Sequence, residues 1–486
     1  MINNFIADQI RTNFGFEPTF EQSVLIQQLS DFLFSKESSE VFLLRGFAGT
    51  GKTSLVAALV KTLVQLKQPV VLMAPTGRAA KVFALYSGHP AYTIHRRIYR
   101  QKSLTDDTSF SLAPNLSRHT LFIVDEASMI GDDGLASTFG SGRLLDDLIR
   151  FVYSGEGCRL LLLGDTAQLP PVSLDESPAL SPKRLAGYGL EVRTSELKYV
   201  MRQKERSGIL ENATAMRDNI EALSSRGDIQ TNTPLRIACM SDVVPINGSD
   251  LIERISDSFR DVGEDETMVI CRSNKSANIY NRGIRATILY REEELCSGDR
   301  IMIVKNNYFW IKEKAAGQED ASAPTFLANG DMAVVRRIRR TRELYGFRFA
   351  DVWLVMPDYD DYEFEATVLL DTLTSESPSL TKEESERLFN AVLEDYADIN
   401  NKTERYKKLR EDIHFNALQI KFAYAVTCHK AQGGQWNTVF LDQGWLPPEA
   451  VGDIQYYRWL YTAFTRATER VFLVNWRKEE LNYVKE

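Results

Sequence analysis

Cysteine is scarce: five residues in a chain of 486. Cys158, Cys239, Cys271, Cys296 and Cys428 are far apart and form no C-x-x-C pair, which excludes a zinc ribbon and a disulfide framework. They read as reduced packing residues of a cytosolic chain. No apolar run approaches the roughly 18 residues a membrane helix needs. The start, Met1-Ile2-Asn3-Asn4-Phe5, lacks the charged region and apolar core of a secretory signal. Nor is there an excess of positive charge. A net charge of -8 argues against coating nucleic acid through bulk charge, while leaving room for a local basic channel. Internal repeats and low-complexity tracts are missing too. These absences leave a soluble, cytoplasmic chain of bacterial-type cytosol or nucleoid, with no membrane partner, as the expectation.

What remains is ordinary in bulk and specific in detail. Apolar and charged contents of 44% and 26% suit a globular protein, and single cores stop growing near roughly 250–300 residues, so more than one domain is expected. The most informative stretch is Gly46-Phe47-Ala48-Gly49-Thr50-Gly51-Lys52-Thr53. It follows the apolar run Val41-Phe42-Leu43-Leu44 and leads into Ser54 to Val60, a strand, glycine-rich loop and helix in sequence. Glycines let backbone N–H groups converge on phosphate oxygens at the positive end of the helix. Lys52 would reach the β and γ phosphates of ATP, and the Thr53 hydroxyl would bind Mg2+.

Around this loop the α/β alternation continues. Phe20 to Phe34 reads as a helix, and its Gln22 is either a surface glutamine or a reader of the adenine edge. Pro69 to Ala74 is a buried strand whose exit carries Thr76 and Arg78, an ordinary turn or a contact to a phosphate backbone. The basic and aromatic segment with His95 interrupts the alternation and suits either a solvated helix or single-strand binding. Thr120 to Val124 is a strand ending in Asp125 and Glu126; the first would complete the Mg2+ site and the second would deprotonate the attacking water. After the strand Arg159 to Leu163, Gln168 is either a turn residue or a probe of the γ-phosphate. A second α/β unit begins at Met268 without a second phosphate loop. Short strands with the turn Asn329-Gly330-Asp331 then read as an all-β insertion. There Arg336, Arg337, Arg339, Arg340 and Arg342 suit a solvated charged hairpin better than a phosphate-contacting edge. Residues 381–415 are charged and helical in pattern.

Seven segments in this order, Gly46 to Thr53, Pro75 to Ala80, Val124 to Ser128, Leu163 to Pro171, Tyr199 to Gln203, Thr427 to Gly433 and Tyr461 to Ala467, resemble the motifs of superfamily 1 (1B) helicases, most closely the RecD and Dda group. The resemblance implies an ATP-dependent DNA helicase moving 5′→3′ on single-stranded DNA. ATP would lie between two RecA-like domains, residues 1–194 and residues 195–297 with 418–486. The insertion, 298–417, falls where the group carries an SH3-like domain, and the excursion near 97–118 falls where it carries a strand-separating pin.

By matching position, Gln22 corresponds to the adenine reader, and Gly46, Gly49, Thr50, Gly51, Lys52 and Thr53 form the ATP cradle. Asp125 corresponds to the metal ligand, Glu126 to the catalytic base and Gln168 to the phosphate sensor. Arg202 and Arg466 match two arginine fingers, catalytic with Lys52. Thr76, Arg78, His95, Thr427, His429 and Lys430 lie in segments expected to touch the strand. Partners expected are single-stranded DNA and duplex junctions, with a monomer compatible. Gly434-Gln435 replaces the acidic residue that some relatives use for the ribose. Without the long N-terminal domain of RecD-type subunits, a stand-alone helicase is expected. An RNA helicase, or an ATP-gated clamp or remodelling subunit without processive unwinding, is the alternative.

Overall fold

The structure, a computed structural model, describes residues 2–37, 39–101, 110–131, 140–172, 174–199, 207–226, 235–311, 324 and 326–483. The chain is α/β, as the alternation of apolar runs and amphipathic segments predicts. In the first sheet six parallel strands run in the order Ala91–Thr93, Val70–Ala74, Leu121–Val124, Arg159–Gly164, Glu40–Gly46, Glu191–Leu197. The interior strands are continuous apolar runs because helices cover both faces of a parallel sheet. Val41 to Leu44 and Leu160 to Leu163 are all at most 1% exposed. The edge strand Glu191–Leu197 extends past residue 194, so the expected boundary falls inside an element. Its sequence, Glu-Val-Arg-Thr-Ser-Glu-Leu, is half-exposed and polar, which hid it from a search for apolar runs.

The second sheet has five parallel strands in the order Val243–Ile246, Ala467–Val474, Trp436–Asp442, Thr267–Cys271, Ala425–Thr427. Between its chain segments lies a closed barrel of Arg300–Ile303, Met332–Leu344, Phe347–Met356, Tyr362–Leu369 and Leu418–Phe422. Closure removes sheet edges, and here it needs the last of these strands. Leu418–Phe422 lies beyond residue 417, so the barrel extends past its expected end. The helices Lys382–Glu394 and Lys402–Arg410 pack on the barrel through Leu388, Val392 and Leu409 against Phe347, Phe349 and Leu369.

Three of the five arginines of Met332–Leu344 face acids on the next strands of the barrel: Arg336 lies 3.1 Å from Glu363 and Arg339 2.8 Å from Glu365, both two strands over, and Arg342 lies 2.5 Å from Asp351 on the adjacent strand. That is the charged-hairpin reading. Within the excursion, Tyr99–Gln101 pairs antiparallel with Phe110–Leu112; the connection between them, 102–109, lies outside the described residues.

Candidate nucleotide and strand sites

The phosphate loop is built from both sides. Gly51 precedes the helix Lys52–Gln65 in the left-handed region, φ +80°, a conformation a side chain disfavours. A Cβ there would lie 2.8 Å from Gln22 Nε2. Gln22 is 1% exposed, and its amide makes two bonds: Nε2 donates to Thr50 O at 3.0 Å, and Oε1 accepts from Thr19 N at 3.0 Å, closing a capping box with Thr19. The structure therefore uses Gln22 to fasten the loop. Its amide faces the loop backbone, and contact with an adenine edge requires these bonds to be exchanged. The Lys52 ammonium donates to Gly46 O and to Phe47 O, the latter at 2.9 Å.

Two carboxyls, Asp125 and Asp165, act on this lysine electrostatically. Asp125, at the tip of Leu121–Val124, has its pKa pushed up to about 7, first by burial and next by Glu126, with Lys52 opposing. Burial likewise pushes Asp165 up, again against Lys52. Glu126 sits at φ +52°, an uncommon backbone for a residue with a side chain and a frequent sign of a functional constraint. Its N–H donates to Asp125 Oδ1 at 2.8 Å. The carboxylate oxygens of Asp125, Asp165 and Glu126 are of the kind a divalent cation takes, but among the described residues no group of three or more His, Cys, Asp or Glu forms a metal cluster by itself. Gln168, 7% exposed, has its Oε1 buried with no hydrogen-bond partner among the described residues.

The second sheet supplies the opposite wall through the helix Ile454–Phe464 and the turn after it. Arg466, 3% exposed, points Nη1 to within 4.0 Å of Glu126 Oε1. Its guanidinium is held by Thr462 O at 3.1 Å, Gly434 O at 3.2 Å and Thr465 Oγ1 at 3.2 Å. Phe47 of the phosphate loop joins the apolar core of this second half, with Ile209, Ala213 and Tyr461. Arg217 lies 4.8 Å over its ring. Arg202, expected here, lies outside the described residues. Residues the sequence did not single out also meet in the cleft. Tyr461 OH accepts from Ala48 N at 2.8 Å and donates to Asp165 Oδ2 at 2.5 Å. Thr462 Oγ1 accepts from Leu169 N at 2.8 Å. Their signal in the sequence was membership of the motif segment Tyr461 to Ala467.

On another face a cavity of about 380 Å³ collects Thr76, Arg78, Thr427, His429 and Lys430 with Asn274, Asn329 and Trp436. Both sheets and the barrel contribute to it. The Arg78 guanidinium stacks 4.4 Å from the Trp436 ring centre, and Nη2 donates to Gln435 O at 2.8 Å. Thr76 Oγ1 accepts from Ala79 N at 3.2 Å as a helix cap, so its hydroxyl serves the helix start as well as the wall. Burial lowers His429, and lowers Lys430 to about 8 with Lys421 adding to the effect. His95 does not line this cavity. Its ring packs 5.7 Å from Tyr99 and 5.7 Å from Phe326, and burial lowers it to about 4, which keeps it neutral near pH 7.

Two parallel α/β sheets meeting at a phosphate loop, with acids from one and an arginine from the other, make this a two-domain P-loop nucleotide-binding fold. The comparisons with known proteins narrow the class. Residues 27–233 match the AAA domain family model and residues 422–474 the UvrD-like helicase C-terminal domain. The ATP-dependent RecD2 DNA helicase of Deinococcus radiodurans is 24% identical over 466 residues, covering 93% of this chain and 48% of that protein. The ATP-dependent DNA helicase dda of Enterobacteria phage T4 is 25% identical over 283 residues, covering 55% and 57%. The chain thus spans about half the length of these two curated relatives. A crystal structure of Pif1 helicase from Bacteroides in complex with ADP-AlF3 and ssDNA aligns at TM-score 0.46 and 15% identity, over 97% of this chain and 95% of that one. The resemblance to the superfamily 1B RecD and Dda group, read from seven ordered motifs, is borne out by the two curated relatives, RecD2 and dda.

Proposed function

We infer that the chain is an ATP-dependent DNA helicase that moves 5′→3′ along single-stranded DNA. The observation that carries this reading is the approach of Arg466 from the second half to Glu126 of the first, beside the phosphate loop. A cleft whose two walls each bring part of one charged site changes shape when a charged ligand enters or leaves it.

In this reading Gly46 to Thr53 cradle the phosphates of ATP, and Thr53 and Asp125 hold Mg2+. Bound Mg2+ would neutralise charge on the phosphates. Glu126 takes the proton of the attacking water, Gln168 turns its unpartnered Oε1 toward that region, and Arg466, with Arg202, neutralises developing charge. Gln22 exchanges its loop bonds for the adenine edge. Thr76, Arg78, Thr427, His429 and Lys430 hold the strand; a phosphate beside Lys430 restores the charge that burial disfavours. The barrel would serve as the SH3-like insertion and the Tyr99–Gln101 hairpin as the pin. Polarity rests on the family resemblance.

The test is ATP-driven opening of DNA duplexes bearing a 5′ or a 3′ single-stranded tail, with Lys52→Ala as control. Opening of the 5′-tailed duplex alone, lost in Lys52→Ala, is expected. Opening of the 3′-tailed duplex alone overturns the polarity, and DNA-stimulated hydrolysis without opening replaces the helicase by a translocating clamp. Faster opening of RNA than of DNA substrates makes it an RNA helicase.

A further inference from the structure

We propose that Tyr461 is a positioning residue for the phosphate loop, supplied by the second half of the molecule, which through its hydroxyl ties the loop backbone at Ala48 to the Asp165 carboxylate. The inference rests on the ATP-hydrolysing reading and deepens it.

The geometry is directional. The Tyr461 oxygen accepts from Ala48 N at 2.8 Å and its O–H donates to Asp165 Oδ2 at 2.5 Å, while Asp165 Oδ1 accepts from Ala167 N at 2.9 Å. One hydroxyl thus joins three segments that meet nowhere else in sequence: the phosphate loop, the turn after Arg159–Gly164, and the helix Ile454–Phe464. The hydroxyl and the carboxylate are closed to solvent, with Tyr461 1% and Asp165 2% exposed, while Ala48 is half-buried. In so dry a place an unmade bond costs the full desolvation of the group left behind. Loss of the hydroxyl leaves Ala48 N–H unpaired and removes a donor from a carboxylate that burial already pushes toward its neutral form. Thr462 adds a second tie from the same helix, to Leu169 N. Tyr461 touches no phosphate position itself. It sets where the loop amides stand when Arg466, five residues along the same helix and turn, reaches Glu126.

Tyr461→Phe keeps the ring in the core and deletes only the hydroxyl. Two measurements on the full chain separate this proposal from the reading beneath it. In nucleotide-free protein, hydrogen exchange of the segment 46–53 should quicken about tenfold, a loss expected of one buried bond. In steady-state ATP hydrolysis, kcat should fall about tenfold while KM for ATP stays within about twofold, the pattern of an interaction that matters once the cleft is assembled. Asp165→Asn combined with Tyr461→Phe should cost little more than the worse single variant, since both act on one network. Exchange and kcat equal to wild type overturn the proposal. If the wild type hydrolyses no ATP yet exchange quickens in Tyr461→Phe, the loop tie stands and the hydrolytic reading falls.

Discussion

Replacing Arg466 by lysine separates its charge from its shape. The guanidinium makes three bonds, to Thr462 O, Gly434 O and Thr465 Oγ1, at 3.1–3.2 Å. An ammonium on a shorter fork-less stem can keep one of them. Two bonds lost at about 1 kcal/mol each predict a stability loss of about 2 kcal/mol, read as a lower urea midpoint at unchanged slope. The effect on chemistry should be far larger, because an arginine that neutralises charge in phosphoryl transfer is worth about 10³–10⁵ in kcat. The expected outcome for Arg466→Lys is ATP hydrolysis reduced by about 10³, measured with and without single-stranded DNA. Affinity for a non-hydrolysable ATP analogue should fall by less than about tenfold, since uniform binding is not what the residue supplies. Hydrolysis within about tenfold of wild type would refute the argument and return Arg466 to a structural role, holding Gly434 and the helix end. A parallel fall of affinity and rate would equally place its contribution in ground-state binding.

Gly51→Ala forces a side chain into φ +80° and brings its Cβ 2.8 Å from Gln22 Nε2; a loss of about 1–3 kcal/mol is expected from strain and the displaced Gln22 bond, together with loss of nucleotide binding by calorimetry. Asp331 gives a pH signature. Burial pushes its carboxyl up to about 7, above the roughly 3.9 of an unfolded chain, so the folded state holds the extra proton between these values and stability falls as pH rises from about 4 to about 7. Asp331→Asn should therefore show a flatter decline across that window in urea titrations; an unchanged slope would count against it. At Gly77 a Cβ would collide with the Tyr359 hydroxyl and ring, and Tyr359 OH donates to Asp331 Oδ1 at 3.2 Å. Gly77→Ala should shift the barrel from the helix that begins beside Thr76 and weaken single-strand binding about tenfold by fluorescence anisotropy, with DNA-independent ATP hydrolysis retained.

The parts legible in the sequence are those whose chemistry is local. Gly46 to Thr53 announce a phosphate loop because the turn, the lysine and the helix start are contiguous, and Asp125 and Glu126 announce themselves by ending an apolar strand. What was illegible depends on partners distant in the chain. Tyr461 opens one of the seven motif segments, but no role for its hydroxyl is legible until the fold sets it between Ala48 and Asp165, 413 and 296 positions away. Gln22 looked like a base reader because its type allows it; only the capping box with Thr19 shows that the amide is already occupied. His95 was expected to touch the strand from its matching position alone, and the fold sets its ring beside Tyr99 and Phe326, away from the cavity of Thr76 and Lys430. Strand Glu191–Leu197 escaped because a parallel edge strand can be polar on its open side.

The cleft and the strand-facing cavity are joined by a single short turn. Gln432 Nε2 donates to Leu169 O at 2.7 Å, against the segment that carries Gln168. Gly434 O accepts from Arg466 at 3.2 Å, on the cleft side. Gln435 O accepts from Arg78 at 2.8 Å, on the cavity side, and Trp436 lies under the same guanidinium. Four of the five residues 432–436 therefore report on both places, and their backbone has little freedom. Gly433 sits at φ +73°, where its missing Cβ leaves room for Thr76 Oγ1 and Ala79, and a Cβ on Gly434 would strike Trp436. A packed turn of this kind transmits displacement because it has no slack to absorb it. Movement of Arg466 relative to Glu126 pulls on the Gly434 carbonyl, and the next peptide is the one that holds Arg78 in the cavity wall. In the proposed function, coupling between the ATP cleft and the strand cavity would run through this one packed chain segment, with the two glycines as the positions where a side chain would break it.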